Sequence, residues 1–453
     1  MTDNNESLPL AVFEEYMLLD DRASHPMEFF CLLRFQGTMD DDRFVQAVRR
    51  VVSRHPLMYC IIEKATARDW RWVPSENDVD VRFLDANVPG TMNESGFPNA
   101  QRLDVFSAPG FRAYVVKNEV GCDLVLQFHH TVSDGMGASQ FIRELLMTYA
   151  ILSGQGSWQL LEPAPDSSLL PLRADIGWTT SSYIRNIRYT WANIAKFVFG
   201  RTQTVLPWRG DATQTPRSYP TIVSQTLTKQ ETSDFFKTTK SQGATVNDAL
   251  IDSSVRTAVD WQRSSNNLPR RGRVRVAVPM NLRDLRHNNM PVGNVVTMVF
   301  LDFLYRDLYK NESLLADVHR QMEAIKKHEQ SRMLGGILLF GKRSAMLIGQ
   351  NLSIHLRDSR CRSTICLSNL GRPLEDWSLT QTEDRLLVTG DLVLDSLVIS
   401  PPIRPKTLLS YSATTYADKL NLSLRYDPSY ISKQNALALL DLMYKDVRDK
   451  ALE

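Results

Sequence analysis

At 453 residues the chain is long enough for two or three packed units with a large core. Hydrophobic residues make up 43% and charged residues 23%, a profile that excludes disordered, fibrous and collagen-like classes. With 53 basic against 51 acidic residues the formal charge is +2, so the chain lacks the field that recruits nucleic acid, and no nucleic-acid partner is expected.

The five cysteines, Cys31, Cys60, Cys122, Cys361 and Cys366, are odd in number and scattered, unlike a secreted disulfide framework, so a cytoplasmic location is expected. CRSTIC (361–366) lacks a second cysteine pair or a nearby histidine, and no metal is expected there. MTDNNESLPL carries acids where a secretory signal has bases. The apolar stretches 295–305 and 334–349 are too short to span a bilayer or are interrupted by Asp302, Lys342 and Arg343.

Along the chain, 26–33 reads as an extended apolar segment and 40–54 as a helix. Asp40, Asp41 and Asp42 favour its positive end, and Phe44, Val48, Val51 and Val52 recur at helical spacing. Strands are expected at 58–62 and 70–73, and most clearly at 122–128, where Leu124, Leu126 and Phe128 share one face. The period then changes: Phe141, Ile142, Leu145, Leu146 and Tyr149 form the stripe of a helix over 137–152. Gly, Ser and Pro concentrate in 153–172, which reads as an inter-domain linker. The stretch 183–199 follows, with apolar residues at 184, 187, 191, 194 and 198 flanked by Arg185, Arg188, Lys196 and Arg201. Such a basic amphipathic helix fits two placements, against the protein body as a lid or brace, which is preferred here, or on a membrane surface as a peripheral contact. In the second half, helices are expected within 241–263 with Thr245 as N-cap, and at 314–325 and 434–447, and strands at 274–279 and 294–301. The alternation gives an α/β or α+β class with two comparable halves.

The informative segment is LVLQFHHTVSDGMGASQF, with His129, His130, Asp134 and Gly135 as H-H-x-x-x-D-G. If the strand continues through the motif, alternation puts His130 on the face of Leu124, Leu126 and Phe128 and His129 on the other. A histidine on an apolar face is ordinarily a hydrogen-bonded core residue. Here a second histidine, an acid and a glycine share one strand-to-helix turn, where catalytic groups tend to be mounted, and an imidazole titrating near neutrality can act as a general base. A metal triad of His129, His130 and Asp134 is disfavoured because adjacent strand residues diverge.

The HHTVSDG segment resembles the active-site motif of the chloramphenicol-acetyltransferase-like superfamily, which includes condensation domains, alcohol acyltransferases and wax ester synthase/diacylglycerol acyltransferases. PLAVFEEYMLLDD, RRVVSRHPLM, ATVNDAL, VPMNLR, PVGNVVTMVFLDF, LSNLGRP and LNLSLRYDPSYIS follow in the expected order, so the resemblance runs nearly full length. It implies two acetyltransferase-like subdomains, each a mixed sheet flanked by helices, with an active-site tunnel between them. Their expected bounds are 1–175, a crossover over 176–217 and 218–453. By resemblance, His130 is the general base, Asp134 is a structural acid paired with Arg283, and Gly135 leaves space at the channel floor. Asn294, Ser368 and Asn369 are candidate oxyanion or channel residues, with turn chemistry as the alternative for the two asparagines beside Gly293 and Gly371. The implied reaction moves an acyl group from a CoA or phosphopantetheine thioester to an alcohol, with no bound cofactor and with any acyl-carrier protein acting in trans. Amide formation, and a non-catalytic module that binds a carrier protein or acylated ligand, are the alternatives.

Overall fold

In the computed structural model, described for all residues except 1–7, 67–68, 176, 178, 208–217, 310–312, 348–349, 356–360, 376–377 and 453, strands and helices alternate. Most of the acidic opening segment, and the end of the expected crossover, therefore lie outside the described residues. The first half contains helices α1 (Val12–Asp20), α2 (Asp41–Val52), α3 (Gly135–Leu152) and α4 (Thr180–Phe199). Its strands are β1 (Glu28–Gln36), β2 (Cys60–Lys64), β3 (Trp70–Pro74), β4 (Asp80–Asp85), β5 (Phe111–Lys117) and β6 (Gly121–His129). The second half adds β7 (Ile222–Thr226), β8 (Arg273–Asn281), β9 (Val296–Leu304), β10 (Ile365–Asn369), β11 (Val388–Thr389), β12 (Leu392–Ser400), β13 (Leu409–Tyr416) and β14 (Lys419–Tyr426). Its helices are α5 (Lys229–Ser241), α6 (Val246–Ser264), α7 (Tyr305–Leu308), α8 (Leu314–Lys327), α9 (Gln330–Leu347) and α10 (Lys433–Leu452).

The first sheet has the order β11-β12-β1-β6-β5-β4, antiparallel except for the pair β4/β5. Helices α2 and α3 cover one face: Phe44, Val48, Val51 and Phe141 pack with Leu124, Leu126 and Phe128 in one buried cluster. Asp40 starts α2 as its N-cap, accepting from the Arg43 N–H. The opposite face, with Phe30, Leu32, Tyr114 and Val125, meets Tyr219 and Ile222 of the second half. The second sheet runs β7-β14-β13-β10-β8-β9, parallel only at β13/β10 and β10/β8. Its core joins Phe235, Leu250 and Val255 to Val276, Leu301, Leu422, Leu424, Leu439 and Met443.

Four features of the elements and their order depart from the sequence reading. Strand β2 begins at Cys60, because Pro56–Tyr59 form a 3₁₀ turn opened by proline, whose fixed φ suits the first turn. Helix α5 was not foreseen. The segment 153–172 is not a bare linker: Leu161 and Leu170 are buried, and just beyond it buried Arg173 donates to Glu14 Oε1 at 2.8 Å. Chain order and sheet membership also diverge, since β11 and β12, far along in the second half, complete the first sheet by pairing β12 with β1.

Candidate active site

Strand β6 ends at His129, and the chain turns through 130–134 before α3 begins at Gly135. The backbone of the turn is fixed at both ends. The His129 N–H donates to the Gly110 carbonyl, and the His130 N–H to that of Met27, each at 2.8 Å. Asp134 is the N-cap of α3, its Oδ1 accepting from the Gly137 N–H at 2.8 Å, where the helix dipole favours a negative charge.

Asp134 also ties the turn to the second half. Its Oδ2 accepts from Arg283 Nη1 and from the Val295 N–H, both at 2.7 Å. Arg283 Nη2 donates in turn to the Gly293 carbonyl at 2.9 Å. Burial by itself would raise the Asp134 carboxyl, yet the Arg283 guanidinium and the two N–H donors hold it below the ordinary carboxylate value. Asn294 Nδ2 donates to the His130 carbonyl at 2.7 Å. The short run Gly293–Val295 thus clamps both ends of the HHTVSDG turn.

The two histidines have different surroundings. His129 is fully buried opposite Glu28. The Thr131 N–H donates to its Nδ1 at 3.3 Å and the Thr131 hydroxyl lies 2.7 Å away, so Nδ1 is the acceptor nitrogen. Nε2 then carries the proton, 3.7 Å from Asp21 Oδ2. Burial works to raise the Asp21 carboxyl, but His129, Arg102 and the Met27 N–H lower it to about 2. Glu28 accepts from the Leu103 N–H, Gln127 Nε2 and the Tyr219 hydroxyl at 2.6–2.7 Å.

His130 begins the turn. Its ring lies 5.1 Å from that of Phe29, which stacks on Phe128, so it shares the apolar face of β6 although the strand itself stops one residue earlier. Among the described residues, buried Nδ1 has no hydrogen-bond partner. Burial lowers the imidazole below its ordinary value; its own backbone, Asp134 and Ser133 pull upward without reversing the shift. The ring is therefore neutral at pH 7, the form in which it can accept a proton.

The remaining candidates divide. A Cβ on Gly135 would come within 2.5 Å of Leu370 Cδ2, so the room this glycine leaves is filled by Leu370, which corrects the expectation of open channel floor at this point. The residue after LSN thus reaches the motif. Asn294 is a backbone clamp, and Asn369 Oδ1 accepts from the Gly371 N–H at 3.0 Å, which is turn chemistry. Ser368 is half-buried on β10 of the second sheet, two residues before Leu370. Gly137 escaped the sequence reading: its Cβ would lie 2.6 Å from Ser133 Oγ and 2.9 Å from the Gly293 carbonyl. The spacing D-G-x-G at a helix start was the available signal.

Burial pushes all five thiols up, to about 12 for Cys60, Cys122 and Cys361 and about 11 for Cys366, which leaves them protonated and unreactive. No group of three or more metal-ligating side chains occurs among the described residues.

A turn carrying HHTVSDG between two helix-flanked sheets defines a class of protein, and comparison gives the same one. The family model for the condensation domain matches residues 18–255, which include the motif and end before Arg283. The chain belongs to the condensation-domain family, with two chloramphenicol-acetyltransferase-like lobes. It is 28% identical over 378 residues to an uncharacterized protein of Mycobacterium tuberculosis, covering 81% of this chain and 83% of that one. It is 24% identical over 227 residues to a phthiocerol/phthiodiolone dimycocerosyl transferase of Mycobacterium leprae, covering 47% of this chain and 52% of the relative. The starter condensation domain of rhizomide synthetase, solved as a mutant with C8-CoA and Leu-SNAC, superposes with a TM-score of 0.67 at 12% identity over 99% of this chain and 95% of that one. Family and relative together support acyl transfer as the general chemistry.

Proposed function

We propose that the protein is an O-acyltransferase that moves an acyl group from a CoA or phosphopantetheine thioester to an alcohol, with His130 as general base. The observation that carries this reading is the contrast inside the motif. His129 is engaged at Nδ1 by Thr131, although its Nε2, like Nδ1 of His130, has no hydrogen-bond partner among the described residues. His130 is instead held through its backbone by Met27 and Asn294, while burial against apolar rings keeps its imidazole neutral.

In this reaction His130 takes the hydroxyl proton as the acceptor oxygen attacks the thioester carbonyl. The tetrahedral oxyanion collapses, the C–S bond breaks, and the thiolate leaves with the proton returned by the imidazolium. No acyl-enzyme and no bound cofactor are needed. Asp134 and Arg283 set the turn and do not touch the reacting atoms. Ser368 is the proposed donor to the oxyanion, since Asn294 and Asn369 donate to and accept from backbone. The donor and acceptor meet at His130 in a channel between the lobes, and a carrier protein, where one delivers the donor, acts in trans. The mycocerosyl transferase relative favours the alcohol. The rhizomide neighbour, solved with an acyl-CoA and Leu-SNAC, favours an amine as the second reading.

The test is thiol release from a panel of acyl-CoAs with long-chain alcohols and with amines, followed by mass spectrometry of the product. An ester product that disappears in His130→Ala is expected. An amide product would establish the second reading, and no release with any donor, together with tight carrier-protein binding, would make the protein a binding module.

A further inference from the structure

Helix α4 turns its polar side toward the protein. Asn186 Oδ1 lies 3.0 Å from His328 Nδ1, Tyr189 stacks on the His328 ring at 4.1 Å, and Thr190 is buried. The last turn is anchored on the edge strand β9 by Phe197 against Phe300, ring centroids 4.9 Å apart, and on its neighbour β8 by the Lys196 carbonyl accepting from Arg275 Nη2. The helix thus lies against the protein body, as preferred from the sequence, but much of its apolar stripe points outward. Ile184, Ile187 and Trp191, spaced i, i+3 and i+7, face solvent at 64%, 38% and 57% exposure, and Phe199 ends the helix at 83%.

Charge accompanies this stripe. Arg185, Arg188 and Lys196 are exposed beside it, and from 176 to 210 the chain has no aspartate or glutamate. Helix α9 lies over the same edge strand, with Leu334, Leu338 and Leu339 packed in one cluster with Val296, and it leaves Phe340, Arg343 and Leu347 exposed. An apolar line with basic flanks is what an interfacial helix presents to acyl chains and phosphate headgroups together. No described helix is long and apolar enough to cross a membrane.

We infer that the outer face of α4, extended by Phe340 and Leu347 of α9, docks the protein on an anionic lipid surface. A second copy is the poorer occupant, because a two-fold contact through this face would bring Arg185 and Arg188 of both copies together with no acid on the helix to offset them. The inference does not depend on the acyl-transfer reading.

The experiment is cosedimentation of the full chain with phosphatidylcholine vesicles with and without phosphatidylglycerol. Binding to the anionic vesicles is expected, weaker to neutral ones, and falling with added salt. The double variant Ile184→Glu/Trp191→Glu should abolish it while keeping the wild-type unfolding midpoint, since both side chains are solvent-facing. Arg185→Ser/Arg188→Ser should bind anionic vesicles at least about tenfold more weakly. Failure to bind either vesicle, or undiminished binding by the Ile184/Trp191 variant, overturns the inference. So does a lipid-free dimer that the same variant dissociates, which would assign the face to a second copy.

Discussion

His129 and His130 are adjacent in the chain and opposite in circumstance. One is sealed among Thr131, Asp21 and the Glu28 network with its tautomer dictated by its neighbours; the other packs against Phe29 with a ring held neutral by burial. What separates a structural histidine from a candidate base here is the face of β6 it inherits, because that decides whether polar partners or apolar walls surround the ring. The Asp134–Arg283 pair hydrogen-bonds to neither imidazole, though the Asp134 charge acts on that of His130. It holds the turn that keeps the two apart.

Substitutions break this contrast in graded ways. The largest effect is expected for His130→Ala, a loss of about 10²–10⁴-fold in turnover with little change in unfolding midpoint, read by thiol release beside thermal denaturation. Equal losses of turnover and stability would remove the distinction between the two residues. Asp134→Ala strands Arg283 and removes the helix cap, so chemical denaturation should show about 3–5 kcal/mol of destabilisation. His129→Ala should cost about 1–3 kcal/mol in the same assay, through buried groups left unpaired, and lower turnover only as far as the fold loosens. Gly137→Ala meets the Gly293 carbonyl, which is backbone and cannot step aside, and should lose about 1–3 kcal/mol; Gly135→Ala meets only the tip of Leu370 and should lose less. The gentlest probe is pH. His130 must be neutral to accept a proton and its pKa lies below the ordinary 6.5, so kcat/KM should hold as pH falls to that value and decline only beneath it. An acid limb at or above 6.5 would contradict the buried base.

Local pattern carried much of this into view. The alternation in β6 and the 3.6-residue stripe of α3 locate the strand, the turn and the two faces, because both periods are written in side chains that the core needs. Helix α5 was missed because KQETSDFFKTTKS is largely polar, although Thr228 and Glu231 form a capping box that marks its start. For α4 the period showed an apolar stripe without showing which way it points, since orientation depends on what lies beneath the helix. The site behaves likewise. Asp134 and Arg283 are 149 positions apart and were connected only through family resemblance, while Val295 and Gly293 act through backbone groups that no residue identity announces.

The pairing of β12 with β1 has a consequence for how the molecule can be divided. Phe30 through Gln36 find their partners in a strand that lies more than 350 positions further along the chain. A fragment ending at the crossover would present the bare backbone edge of β1, an open template for pairing with other chains. The halves are not interchangeable modules: recombination between homologues would have to exchange the strap 388–400 together with the first half, or leave that half with an adhesive seam.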